Sequence, residues 1–199
     1  VRDVLKITIC RSQLSKLIDK VGLALNAPYD ELLKKIPLEQ KLNVDETGHK
    51  NNGERFWTWC FRAELYVLFK IDKSRGSQVL IEVLGEEFNG VIGCDYFSAY
   101  RKFIKDFNVS VQFCLAHLIR DIRFLITLPS KEEKEYGRKL LAQMRRMFKL
   151  IHDNDDKPRE FIEKELKEIR ADFLRIGIEE VPLKYDKNGK LVKTKSRNL

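Results

Sequence analysis

The spacing of apolar residues changes twice along the chain, and those two changes constrain the fold more than any other feature. Between residues 12 and 35, Leu14, Leu17, Ile18, Val21 and Leu25 recur at helical spacing behind Ser12, a candidate N-cap. Pro28 is read as breaking that pattern, with a second short helix near 29–35 that Pro37 ends. From residue 41 the period shortens. Residues 41–47 (KLNVDET), 55–62 (RFWTWCFR) and 64–71 (ELYVLFKI) read as three consecutive strands, an antiparallel meander turning at Asn51-Asn52-Gly53 and near Ala63. Helix and strand then alternate. A helix is expected at 77–84, a buried parallel strand at 91–94 (VIGC), and an amphipathic helix at 96–107 with Tyr100, Phe103, Ile104 and Phe107 on one face. A fifth strand at 109–114 and a helix at 116–128, stopped by Pro129, complete this region. From residue 130 the strands disappear, and 130–151 and 159–176 read as long, charged, periodic helices. Ser130 and Glu133 form a capping box at the first, and residues 154–158 turn between the two. The expected class is α/β: a mixed sheet with flanking helices and an α-helical addition.

At 199 residues the chain can hold one sizeable domain with a helical appendage, and 43% apolar residues suffice for a core. Lys and Arg number 38 against 30 Asp and Glu, a net charge of +8 that favours a polyanionic partner, nucleic acid first. Cys10, Cys60, Cys94 and Cys114 are scattered without a CxxC and read as reduced, mostly buried thiols. No apolar run approaches the ~20 residues of a membrane span. The expected setting is the cytoplasm. The first residue is Val1 and the last seven, residues 193–199, are polar, so the sequence is read as a piece cut from something longer.

Two acids stand out. Asp45 follows the apolar run 42–44 and Asp95 follows 91–94, so each is expected at or near the end of a short buried strand. With this order of elements the first and fourth strands can lie side by side, and two carboxylates on neighbouring strands can share a divalent cation. Hard oxygen donors with room for phosphate suit Mg²⁺, with Mn²⁺ as a substitute. The competing reading is a turn former or helix cap, and Asp95 precedes a helix. Glu46 adjoins Asp45 and in a strand must point to the opposite face, as an exposed or hydrogen-bonded acid. Cys114 and His117 are two potential zinc ligands where a structural zinc needs four. Trp57 and Trp59 share one strand face and either pack in the core, with both sheet faces covered, or stack on splayed bases. Arg138, Lys139, Arg145, Arg146 and Lys149 cluster in the first long helix. Spacing brings Arg138, Arg145 and Lys149 together as a DNA-backbone contact or a solvated face.

Three blocks in order carry a resemblance. Asn43-Val44-Asp45-Glu46-Thr47-Gly48 with Gly53 and Phe56-Trp57-Thr58-Trp59 resembles the first block of the insertion-sequence-sixty-six family of bacterial transposases. The run Gly93-Cys94-Asp95-Tyr96-Phe97-Ser98-Ala99-Tyr100 resembles the second, and residues 112–121 (QFCLAHLIRD) resemble the third. The similarity runs from about residue 7 to about 152 and includes the upstream helix. It implies a ribonuclease H-like core interrupted by a helical insertion, and DNA strand cleavage and transfer by a DDE triad with Mg²⁺. It further implies Asp45 as the first acid, Asp95 as the second, and His117 and Arg120 near the active site, placed to meet phosphate. His117 is alternatively a hydrogen-bonded residue at a helix start. The family's third acid, a Glu in a block with paired asparagines, has no counterpart here, and none of the glutamates after residue 130 is assigned to it. The domain division expected on this basis is an N-terminal helical segment (1–37), a partial catalytic core (38–129), a helical insertion (130–181) and a polar tail (182–199). The implied partners are DNA and further copies of the chain assembled on it. A remnant that only binds DNA or assembles, and a ribonuclease H-like nuclease, are the competing functions.

Overall fold

The computed structural model describes residues 9–154, 157–192 and 194. Asp155 and Asp156 of the expected turn, and most of the stretch 193–199, lie outside the described residues. The chain divides into two compact units, Val1–Cys114 and Leu115–Leu199.

The first unit opens with α1 (Arg11–Ala24) and α2 (Asn26–Lys35), then a 3-10 turn at Ile36–Leu38. The helical break falls at Leu25, and Pro28 sits in the first turn of α2, where a proline's missing N–H costs no intrahelical bond. The N-cap of α1 is Cys10, so the expected cap at Ser12 lies inside the helix. None of the apolar positions of α1 is buried.

Five strands follow: β1 (Lys41–Asn51), β2 (Glu54–Arg62), β3 (Val67–Asp72), β4 (Val91–Cys94) and β5 (Ser110–Phe113), with α3 (Ser77–Leu84) before β4 and α4 (Ser98–Phe107) between β4 and β5. The sheet order is β3-β2-β1-β4-β5. β2 runs antiparallel to β1 and β3, while β4 runs parallel to β1 and β5. This is the order and polarity of a ribonuclease H-like sheet. β1 and β2 are joined by Asn52-Gly53, both at positive φ (51° and 84°), the conformation a two-residue hairpin matched to strand twist requires. The β4–α4–β5 crossover ends on Asn108 in the left-handed region, a helix C-cap.

Alternation sends Leu42, Val44, Trp59, Phe61, Leu68, Ile92 and Cys94 to one face, where they pack with α3 and α4 in one buried cluster. The other face carries Asn43, Asp45 and Thr47 on β1, and Phe69 and Ile71 on β3, 57% and 63% exposed. Both faces were expected to be covered; among the described residues of the first unit the buried cluster lies on one face of the sheet. Trp59 is fully buried in it all the same, its Nε1 donating to the Ser74 carbonyl at 3.1 Å. Gly90 lets β4 start against the backbone ahead of β1. A Cβ there would lie 2.4 Å from the Glu39 carbonyl oxygen and 2.6 Å from the Phe88 ring. Gly90→Ala is expected to cost about 3 kcal/mol, since backbone rather than a flexible side-chain tip must move. A urea unfolding midpoint equal to that of the wild type would contradict this.

The second unit holds α5 (Leu115–Thr127), α6 (Lys131–His152) and α7 (Arg159–Glu179). Ile122 and Leu125 of α5 pack with Tyr136, Leu140, Leu141 and Met144 of α6 and Ile176 of α7. Ser130 caps α6 by accepting the Glu133 N–H. The Glu133 carboxylate, 6% exposed, takes Lys184 of the tail at 2.9 Å.

Candidate active site

The parallel β1–β4 ladder sets side by side the two backbone segments that lead to Asp45 and Asp95. Its last pair is Asn43 with Gly93; Asp45 lies two residues farther along β1, and Asp95 two residues past Gly93, just beyond the end of β4 at Cys94. Alternation puts Asp45 on the face opposite the buried Leu42 and Val44, and Asp95 follows the buried Cys94 directly. Neighbouring strands lie about 4.8 Å apart, within reach of a shared cation. A Cβ at Gly93 would sit 2.4 Å from Asn43 Oδ1, the tip of an exposed side chain that can turn aside, and 3.6 Å from the Leu42 carbonyl oxygen. Asp95 follows the end of β4, as expected, but Asp45 is not at or near the end of a short strand, because β1 continues to Asn51 by pairing with β2. It lies where β1 outruns β4, which leaves that edge of the strand open.

Asp45 is exposed and Asp95 half-buried. Asp45 Oδ1 accepts the Glu46 N–H at 2.9 Å, and Asp95 Oδ1 accepts the Phe97 N–H at 2.8 Å. The second bond is an Asx turn, as the turn-former alternative foresaw; the cap of the following helix is Phe97, so Asp95 is not its N-cap. Each carboxylate is thus oriented by one backbone N–H, and its second oxygen has no hydrogen-bond partner among the described residues. No Lys or Arg among the described residues forms an ion pair with either. Burial first, then Asp95 and Glu46, pushes the Cys94 thiol up to about 12. Burial first, then Asp45, raises that of Cys60, which faces Asp45 across the β1–β2 ladder. None of the four cysteines is in a disulfide, and only Cys94 is fully buried, fewer than expected.

The donor set fits Mg²⁺, which is commonly held by one or two carboxylates with substrate phosphate and water filling the remaining positions. Among the described residues no group of three or more His, Cys, Asp or Glu is placed to hold a metal, so a third protein ligand does not accompany this pair.

Glu46 points to the core face, as expected from its parity, but its environment was not foreseen. Its side chain is 1% exposed. Oε1 takes Arg75 Nε at 2.8 Å and Nη2 at 2.7 Å, and Oε2 takes the Tyr100 hydroxyl. The Arg75 guanidinium lies between the Phe97 ring (3.8 Å) and the Trp57 ring (4.5 Å). Burial first, then the hydrogen bond and charge of Glu46, raises the Tyr100 phenol above its ordinary value, so it remains a donor.

The remaining candidates lie in the second unit. His117 and Arg120 occupy the start of α5; Arg120 is exposed, while His117 Nδ1 is buried without a hydrogen-bond partner among the described residues. The five clustered basic candidates of α6 separate into two sets. Lys139 pairs with Glu180 (2.6 Å), and Arg146 with Asp172 (3.4 Å) and Glu165 (3.8 Å). Arg138, Arg145 and Lys149 are exposed, and of these only Arg138 has an ion pair among the described residues, a 3.6 Å contact with Glu135 one turn away.

No curated protein matches the chain at a significant level. Among solved structures, the magnesium-bound catalytic core domain of HTLV-2 integrase matches in its dimeric form at 12% identity and a TM-score of 0.31, over 72% of this chain and 89% of that one. Its trimeric form matches at 12% and 0.30, over 77% and 93%. The simian T-cell lymphotropic virus intasome in complex with PP2A regulatory subunit B56 gamma matches at 11% and 0.32, over 77% and 52%. At these values the likenesses add nothing to the topology described above. The family description "Transposase IS66 family" matches residues 1–197. The chain accordingly belongs to the IS66 family of transposases, enzymes of the polynucleotidyl-transferase class.

Proposed function

We propose that this transposase region cuts and joins DNA at insertion-sequence ends with Mg²⁺ held by Asp45 and Asp95. The observation that carries the reading is two carboxylates, one on β1 and one just past the end of its parallel neighbour β4, each two residues beyond their last paired residues and without an ion-pair partner among the described residues, in a member of a transposase family. When bound, Mg²⁺ would activate an attacking oxygen and stabilise the departing one. The chain's contribution is orientation. The Glu46 and Phe97 N–H groups each fix one carboxylate oxygen and leave the other for a ligand. Water attacks a phosphodiester at the element's end and displaces a 3′ oxygen. The freed 3′ hydroxyl then attacks target DNA and displaces a 3′ oxygen there. The test is strand transfer with Mg²⁺ or Mn²⁺ by the transposase carrying Asp45→Asn or Asp95→Asn.

DNA is the partner this reading requires, with several copies of the protein assembled on it at the nucleoid in the cytoplasm. No helix among the described residues is long and apolar enough to cross a membrane. His117 and Arg120 are assigned to phosphate, and Arg138, Arg145 and Lys149 to the DNA backbone. The last three lie within one exposed face, since steps of seven and four residues return to nearly the same side of a helix. Replacing all three by Ala is expected to weaken binding equally across sequences. It should also lower the slope of log K against log salt by about 3, near 1 per phosphate contact removed. Lys139→Ala with Arg146→Ala, which strips pairs with α7 and its end, should leave that slope unchanged. Equal slopes for the triple variant and the wild type would remove these residues from the DNA contact.

A further inference from the structure

Glu46 is a buried carboxylate one residue from the proposed metal ligand Asp45, and both of its oxygens are committed to groups from other parts of the fold. Arg75 comes from the link between β3 and α3. Tyr100 lies in the first turn of α4, the helix that the Asp95 turn leads into. Arg75 also covers the ring of Phe97, whose own N–H donates to Asp95. One side chain therefore connects the residue after Asp45 with the segment that orients Asp95. The ladder that could otherwise hold the two strands level stops at Asn43 and Gly93, short of both aspartates. Beyond that point, the described side-chain hydrogen bonds between β1 and the segment after β4 run through Glu46. A residue that served stability alone could be apolar here, as Leu42 and Val44 on the same face are.

We propose that Glu46 is a positioning residue: through Arg75 and Tyr100 it locks β1 to the turn after Asp95 and keeps the segments that bear the two aspartates side by side. The inference rests on the reading of Asp45 and Asp95 as metal ligands. Glu46 touches neither the metal nor DNA and acts by holding the backbone from which both ligands project.

The experiment uses the 199-residue chain and Mn²⁺ alone, with free Mn²⁺ read by electron paramagnetic resonance. Glu46→Gln removes the charge that holds Arg75, and Tyr100→Phe removes one hydroxyl. Each is expected to raise the Mn²⁺ Kd about tenfold or more, in the range seen when groups supporting metal ligands are lost. Each should also speed amide hydrogen exchange at Glu46 and Phe97 in metal-free protein. Val83→Ala, a cavity variant in the same core, should lower the thermal midpoint and leave the Mn²⁺ Kd within about twofold. Asp45→Asn and Asp95→Asn set the reference for ligand loss. If those two bind Mn²⁺ as the wild type does, the metal reading fails. If they lose it while Glu46→Gln and Tyr100→Phe do not, the positioning role alone fails. It fails equally if Val83→Ala loses as much affinity as they do. Should Glu46→Gln not fold, Tyr100→Phe decides.

Discussion

Asp45→Asn and Asp95→Asn are each expected to reduce strand transfer at least about a thousandfold, with little change in stability. The magnitude follows from charge. A cation on a transferring phosphoryl group contributes several kcal/mol to transition-state stabilisation, and each 1.36 kcal/mol is tenfold in rate. Asn keeps an oxygen to accept the Glu46 or Phe97 N–H, so the backbone geometry survives. What goes is the negative charge that a divalent cation needs. The two losses should not multiply, because one ligand without the other already fails to hold the metal. Gel-resolved strand transfer with Mg²⁺ and with Mn²⁺, beside an unfolding curve for each variant, measures both sides. Wild-type rates in both variants would show that the pair serves structure alone, and that the chemistry lies elsewhere.

Much of this geometry was legible before any coordinates. Asn52-Gly53 fixed the hairpin, and the order of strands and helices allowed β1 beside β4, which is how the sheet is built. The length of β1 was not legible. Residues 47–51 are polar and show no apolar alternation, and only pairing with β2 keeps them extended, so Asp45 falls within a strand rather than at its end. The edge of the first unit was hidden for a related reason. The periodicity of 116–128 announces an amphipathic helix without saying which core takes its apolar side, and Ile122 and Leu125 pack in the second unit. A similar limit applies along α6, where spacing grouped the basic residues but only the place of Glu165, Asp172 and Glu180 shows which of them are paired.

Glu46 is the instructive case, because half of its signal was present. Leu42, Val44 and Glu46 share parity, and an acid in an apolar stripe must find a cation or donors when buried. Its partner could not be named. Arg75 is 29 positions away in a link without regular structure, and only the folded β2–β3 ladder and the Ser74 carbonyl that receives Trp59 place it there.

That arrangement makes Arg75→Met one of the most destabilising substitutions open to the first unit, at about 3 kcal/mol. Removing one partner of a buried pair strands the other: Glu46, 1% exposed, would keep the Tyr100 hydroxyl and lose the charge that offsets its burial. The contacts of the guanidinium with Phe97 and Trp57 go as well, while the methionine chain retains part of the packing. Glu46→Gln should cost less, about 1–2 kcal/mol, since Arg75 is 37% exposed and can turn its charge to water. The double variant decides the cause. If the penalty of Arg75→Met is mostly an uncompensated carboxylate, adding Glu46→Gln removes that charge, and the double variant should be no less stable than Arg75→Met alone. A coupling of about 1.5 kcal/mol or more between the two sites, from urea unfolding of all four proteins, is the expected result. Strict additivity would mean that Arg75 stabilises the fold by its ring contacts and not by neutralising Glu46.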